Sequence, residues 1–372
     1  MSDSALPQTH SALVVVEHGK ADVRDRPLPK LKPDTVLVRV HGVALNPTDW
    51  LHVDVLLNPG SSVGSDFAGI VKWVGPEAEG KGLRVGDAVA GFTRGGKCTA
   101  DNAAFQEYVL QKPELLWHKP ASLNFEDAAG MGGIALSTAA MAVFHRLGFD
   151  APWLAAKQAT HKDTPLLVWA GSTAVGIFVV QLGKLAGLRV ATTASKRNQD
   201  LVKSFGADFV VDHNDADASQ QLKAWAEPFG GFRHAVDCYS NYGSTRKTSF
   251  AMAQGGGEII RILADPEKTE LADLAAGVKT THILVYTSLT KTPVTDVLED
   301  FKYWQSVHVT ADQTDFEFIV QWNVHLPELI NNGSVKPLPR KHIDGGLTAI
   351  PQGLDYLRSG KASAEKVTFT IA

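Results

Sequence analysis

Gly171-Ser172-Thr173-Ala174-Val175-Gly176 is the stretch of this chain whose residue types and spacing speak most directly of chemistry. A short apolar run, Leu166–Trp169, precedes it, and an apolar stretch of helical length follows it to Leu185. Strand, glycine turn and helix, in that order, open a dinucleotide-binding fold. The free amides of the first helical turn, here Ser172, Thr173, Ala174 and Val175, would hold a pyrophosphate with help from the helix dipole. Gly171 is expected to make the sharp turn and Gly176 to let the helix pack close to the strand. Thr173 stands where the usual pattern has its middle glycine, so the stretch also fits an ordinary strand–helix turn of an α/β domain.

The following strand ends in Thr193-Ala194-Ser195-Lys196-Arg197-Asn198. An NAD site would place an Asp or Glu there for the ribose 2′-hydroxyl. The tip has no acid and two cations, which suits the 2′-phosphate of NADPH, with Ser195 and Asn198 as further donors. A solvated helix start capped by Ser195 is the competing reading, and both can hold together. Lys184 is a second phosphate candidate, though an exposed helix lysine is the commoner case.

These groups need elements to position them. The chain has 372 residues, 44% hydrophobic and 20% charged, with 33 glycines, which suggests two domains. A net charge of −4 gives no electrostatic case for nucleic acid or an anionic membrane. No apolar run spans a bilayer, and Met1–His10 lacks a secretory pattern. Cys98 and Cys238 are the only cysteines, so a reduced, cytoplasmic setting is expected. Short strands broken by Gly and Pro (Ser11–Val16, Thr35–Val40, Ile70–Val74, Ala88–Phe92, Phe105–Leu110) imply an all-β, barrel-like first domain, with a turn at Asn46–Trp50. Phe125–Leu147 reads as broken helix. From Leu166 the pattern alternates β and α, with strands at Leu166–Trp169, Arg189–Thr193, Phe209–Asp212, His234–Cys238, Glu258–Leu263 and His282–Tyr286. The fold class is therefore α/β, with a doubly wound parallel sheet of six strands. A helix over Phe316–Asn332, another at Ile350–Leu357 and a strand at Lys366–Ile371 close the chain.

Asn46-Pro47-x-Asp49, Gly64-x-Asp66-x-Ala68-Gly69, Gly86-Asp87-x-Val89, the Gly171–Gly176 loop, Gly206-Ala207-Asp208, Gly346-Leu347 and Leu357-Arg358-Ser359-Gly360-Lys361 stand in this order. Nearly the whole chain resembles the medium-chain dehydrogenase/reductase superfamily, in its zinc-independent quinone and enoyl reductase branch. The Gly171–Ala174 loop, Ser195–Asn198 and Ala235–Tyr239 are similar to the fungal trans-acting enoyl reductases of polyketide synthases. The resemblance implies a GroES-like catalytic domain over 1–137, completed by 314–372, and a Rossmann NADPH-binding domain over 138–313, with the active site between them. It implies that Thr48, Asp49 and Trp50, with Ile262 and Leu263, meet the nicotinamide, and that His213 lies near the adenosine. Ala362 and Ser363 are weaker carry-overs. For Ile262 and Leu263 the plain reading is sheet core, with only backbone touching cofactor. Thr138 is implied to face nicotinamide and substrate, against the ordinary alternative of a hydroxyl bonded back to its helix. Met131 and Gly132 would line the substrate channel.

Zinc enzymes of the superfamily use a Cys and a Gly-His-Glu; here Asn46 and Gly64-Ser65-Asp66 stand at those places, and neither Asn nor Ser is a good zinc ligand. No metal is expected, and reduction of an activated C=C bond fits better than alcohol oxidation. The expected reaction is hydride transfer from NADPH to the β-carbon of an α,β-unsaturated carbonyl or thioester, then protonation at the α-carbon. Relatives often carry a Lys after the Asp-Trp pair, but Leu51 stands here. That leaves His52, titrating near neutrality, as candidate donor, beside solvent, the cofactor ribose and Tyr239. The alternatives are an NADPH quinone or alkenal reductase and a non-catalytic NADPH-binding sensor or partner subunit. Partners would be a small-molecule or carrier-bound substrate, with a polyketide synthase carrier domain possible, and the protein a monomer or a homodimer through His282–Tyr286.

Overall fold

The computed structural model describes residues 6–56, 59–95, 103–154, 161–264, 271–290 and 312–372. Cys98 lies outside them.

Two strands, β1 (Thr9–Glu17) and β2 (Lys20–Pro27), pair antiparallel. β3 (Val36–Ala44) leads into a short helix, α1 (Pro47–Leu51). The expected turn at Asn46–Trp50 is therefore helical: Pro47 opens it, and Asp49 reaches back to accept the Asn46 amide at 2.7 Å. Next come β4 (Asp66–Val74), β5 (Ala88–Phe92), β6 (Tyr108–Gln111) and β7 (Leu116–His118). Helices α2 (Phe125–Gly130) and α3 (Ile134–Ala140) follow, the second prolonged by a wider turn to Arg146.

The chain then alternates: β8 (Pro165–Trp169), α4 (Ala174–Leu185), β9 (Arg189–Thr193), α5 (Gln199–Ser204), β10 (Phe209–Val211), α6 (Ala218–Ala226), β11 (His234–Asp237), α7 (Ser244–Ala251), β12 (Gly257–Arg261) and β13 (Val278–His282). It closes with α8 (Gln313–Asn331), β14 (Arg340–His342), α9 (Ile350–Arg358) and β15 (Lys366–Thr370).

The alternating part forms a six-stranded parallel sheet in the order β10-β9-β8-β11-β12-β13. This is the Rossmann order, which reverses direction beside β8 and leaves a crevice at the carboxyl ends of the strands. Every residue of β8 is buried, as a central strand covered on both faces requires. A seven-stranded sheet of the first domain runs β14-β15-β3-β4-β5-β7, with β6 also on β3. The C-terminal strand returns to the first domain there, pairing antiparallel with β3.

The sixth parallel strand is β13, at Val278–His282, and not His282–Tyr286. The apolar residues that suggested the later position, Ile283 and Val285, are buried because the chain turns inward after β13, into a tight helical turn at Val285–Leu289. β13 itself is an edge strand of mixed residues, Val278-Lys279-Thr280-Thr281-His282, with little apolar signal. Three other short or edge strands, β2, β7 and β14, carry equally weak patterns and were not foreseen.

Candidate functional site

A cavity of about 410 Å³ opens between the two sheets. On the parallel-sheet side its wall begins with the loop after β8. Ala170 takes the left-handed turn conformation (φ 62°) that Gly171 was expected to take. Gly171 serves a different need: a Cβ there would lie 2.0 Å from Thr192 Oγ1 on β9. Gly176 meets its expected packing need, since a Cβ would fall 2.3 Å from the Ala170 carbonyl oxygen. Thr173 takes its place in the pattern by capping α4. Its hydroxyl donates to the Ala170 carbonyl at 2.9 Å and accepts from the Gly176 amide at 3.0 Å. The amides of Ala174 and Val175, at the first two helical positions, have no acceptor among the described residues, and open amides at a helix start are suited to an anion. Thr173, Ala174 and Val175 line the cavity; Ser172 stands beside it, half-buried.

Beyond β9, Lys196 and Arg197 are exposed and enter none of the described ion pairs. Ser195 makes no capping bond. Asn198 Nδ2 donates to Ser363 Oγ at 2.9 Å, joining two of the candidate residues across the domains. Ala362 adjoins them, half-buried. His213 is exposed, with Nδ1 3.8 Å from Asp212 Oδ1. Asp212 was not foreseen; hydrogen bonds from the Asn214 amide above all, and from the Asn214 side chain and the Lys196 amide, hold its carboxyl below the usual range. Lys184 does not join this group. It stands in the last turn of α4, the far end from the loop, and its ammonium is paired with Asp208 at 2.8 Å.

On the opposite wall α1 presents Thr48 and Leu51, and the turn that continues it presents His52. Asp49 sits behind them, fully buried, accepting from Ser65 Oγ at 2.8 Å; burial pushes its carboxyl up to about 7. Trp50 turns the other way and packs on the barrel core, so neither residue lines the cavity. The His52 ring contacts Thr48 Oγ1 through Nε2 at 3.2 Å, and its Nδ1 has no partner. Burial, with Arg94 nearby, brings its pKa down to about 3. The expectation that His52 titrates near neutrality is therefore corrected: the ring stays neutral at working pH and is a poor acid.

Ile262 and Leu263, just past β12, are half-buried and line the cavity, so they are wall and not sheet core. The Ile262 amide is already given to Ser240 Oγ at 2.9 Å. Thr138 also lines the wall, but its hydroxyl donates back to the Ile134 carbonyl at 2.6 Å. Met131 and Gly132 are not lining residues. Met131 is 1% exposed in the core, and a Cβ on Gly132 would meet the Ala129 and Gly91 carbonyls at 2.8 Å. Ile134 and Ala135, one turn on, take the wall instead.

Among the cavity residues that escaped the sequence reading are Arg94, His282 and Tyr286. Arg94 carried no motif. His282 and Tyr286 lay in what read as a strand. Burial, with Arg261 nearby, lowers the His282 ring to about 4.

The place that holds zinc in related enzymes can be tested against the donors present. The Asn46 amide oxygen accepts from Lys366 Nζ at 2.6 Å, and Asp66 Oδ2 lies 3.1 Å from the same nitrogen. Asn46 Nδ2 in turn donates to Asp66 Oδ2 at 2.9 Å. A buried ammonium thus takes these oxygens, and Ser65 is bonded to Asp49. The set does not fit zinc. Among the described residues no cluster of three His, Cys, Asp or Glu side chains could hold a metal ion, and no helix is long and apolar enough to cross a membrane.

Comparison with known proteins agrees with both halves. Residues 32–137 match the family model of the alcohol dehydrogenase GroES-like domain, and residues 174–299 match that of the zinc-binding dehydrogenases. The trans-enoyl reductase ACTTS2 of Alternaria alternata is 35% identical over 98% of this chain and 99% of its own. The trans-enoyl reductase fsa3 of a Fusarium species is 32% identical over 92% and 93%. Among solved structures, an alcohol dehydrogenase superfamily protein from Novosphingobium aromaticivorans superimposes with a TM-score of 0.74 at 20% identity, over 98% of this chain and all of that one. The CurK enoyl reductase does so with a TM-score of 0.69 at 18% identity, over 98% and 100%. These likenesses span both domains, and they fit a glycine loop, a parallel six-stranded sheet and a metal place filled by lysine: the chain belongs to the medium-chain dehydrogenase/reductase superfamily, within its trans-enoyl reductases.

Proposed function

We propose that this chain is an NADPH-dependent enoyl reductase acting on α,β-unsaturated thioesters, carried on a polyketide synthase carrier domain or presented as a small-molecule mimic. The observation that carries the reading is the cavity: a dinucleotide cradle on one wall, apolar side chains around it, and a few polar groups at the barrel end. The Ala174 and Val175 amides would hold the pyrophosphate, and Ser195, Lys196, Arg197 and Asn198, with Ser363, the 2′-phosphate. The domain division we propose is 1–137 with 314–372, and 138–313. NADPH supplies the hydride when bound. The protein's share is to orient the enoyl group, exclude water and stabilise the negative charge that collects on the carbonyl oxygen. A cavity without a zinc donor set lacks the Lewis acid that alcohol oxidation in this superfamily uses. The names of the trans-enoyl reductases support a carrier-bound substrate.

The test is a fluorescence titration with NADPH and NADH, followed by a crotonyl thioester and, separately, a quinone. Tighter binding of NADPH and its thioester-dependent oxidation is the expected result. Oxidation by quinone alone would favour a quinone reductase. Binding without turnover would point to a sensor or partner subunit, and absence of NADPH binding would remove the proposal.

A further inference from the structure

Reduction of an activated C=C bond needs a proton at the α-carbon. Leu51 has none to give, and the His52 ring is neutral. A phenol stands where these fail. Tyr286 enters the cavity from the turn after β13, and its Oη lies 3.1 Å from Thr48 Oγ1 and 3.5 Å from Ser65 Oγ, on the opposing domain. The turn is held firmly. Ser288 Oγ donates to the Val285 carbonyl, and Thr287 Oγ1 donates to Asp315 at the start of α8. Burial raises the phenol to about 12, so it carries its proton at any working pH. Tyr239 also lines the cavity, but it is 45% exposed and its ring stacks on Tyr242.

Arg94 is the second unassigned group. Its guanidinium lies 5.9 Å from the centre of the Tyr286 ring, and no carboxylate pairs with it among the described residues. A guanidinium with no carboxylate partner among the described residues, on the wall of an apolar cavity, is suited to an oxyanion.

Resting on the enoyl reductase reading, we propose that Tyr286 donates the proton to the α-carbon and that Arg94 holds the substrate carbonyl oxygen. Hydride addition forms a C–H bond at the β-carbon and moves the π electron pair toward the α-carbon and carbonyl oxygen, as an enolate. The Tyr286 O–H bond then breaks, a C–H bond forms at the α-carbon, and the phenolate takes a proton back from water. Thr48 and Ser65 position the phenol.

The experiment compares wild type with Tyr286→Phe on a crotonyl thioester, in water and in D2O, alongside NADPH titration. Tyr286→Phe should keep its NADPH affinity within about twofold and lose roughly a hundredfold in kcat, in the range of general acid catalysis. Wild type should place deuterium on one face of the α-carbon and the variant on both, which a structural role would not produce. Unchanged kcat with one-face labelling overturns the assignment. If Tyr286→Phe fails to fold, Arg94→Gln carries the test: kcat falls at least about tenfold with NADPH affinity kept, and an unaltered kcat sinks the pair. Wild type that binds NADPH yet turns over no thioester removes the enoyl reductase reading itself, and this one with it. Brisk wild-type turnover beside an unaffected Tyr286→Phe removes only the role of Tyr286.

Discussion

His52 shows how burial changes what a residue can do. In the chain it is a histidine one residue beyond an aspartate–tryptophan pair, expected to titrate near neutrality. In the fold it is 4% exposed, and its pKa falls from 6.5 to about 3. A depressed folded value stabilises the protein fully above pH 6.5, and that stability is lost as pH falls toward 3, because only the unfolded chain takes up the proton in between. The shift corresponds to something on the order of 5 kcal/mol across that window. His52→Gln should therefore melt with a shallower acid limb between pH 6.5 and 4 than wild type, as followed by thermal unfolding. Identical limbs would show that His52 is not the group responsible. His282, lowered to about 4, adds to the same limb and remains in the variant.

At the scale of the element, the loop between β8 and α4 is set by close approach more than by glycine's freedom of angle. Ala170 accepts the left-handed conformation, while Gly171 gives way to Thr192. Thr192 is fixed, since its hydroxyl donates to the Val168 carbonyl at 2.6 Å. Gly171→Ala must therefore push β9 or rotate Thr192. It should cost about 1–3 kcal/mol in stability and weaken dinucleotide binding, read by denaturant unfolding and NADPH titration. Wild-type affinity in that variant would mean that the loop adjusts freely. Thr173 illustrates the same point: a residue that departs from the glycine pattern still belongs there, because it caps the helix whose first amides stay open.

At the scale of the whole molecule, the two domains are joined beside the cleft. Asn198 of the parallel-sheet domain bonds Ser363 of the segment that leads into β15, and β15 sits in the sheet of the other domain. Lys366, on that strand, is buried against Asn46 and Asp66, and Asp66 in turn accepts the Ile134 amide that opens α3. Replacing both Lys196 and Arg197 by alanine should weaken NADPH binding roughly ten- to a hundredfold, the size of a lost charged hydrogen bond, and leave NADH nearly unchanged. Equal loss for both coenzymes would place the 2′-phosphate elsewhere.

The sequence by itself determined what depends on neighbours along the chain. The order of strand, turn and helix, the β–α alternation from β8 to β12, the cations after β9 and the missing zinc ligands were all legible, because each is a local pattern of period, turn chemistry or donor type. Short edge strands such as β14 and β13 were not, since a polar edge carries no period. The tertiary structure alone decided the polar end of the cavity. Tyr286 meets Thr48 across 238 residues of chain, and Lys366 meets Asn46 across 320. Such meetings follow from the return of β15 to the first domain and from the inward turn after β13. Burial there then made His52 a neutral ring and left Tyr286 a protonated phenol, outcomes set by desolvation, which a sequence does not state.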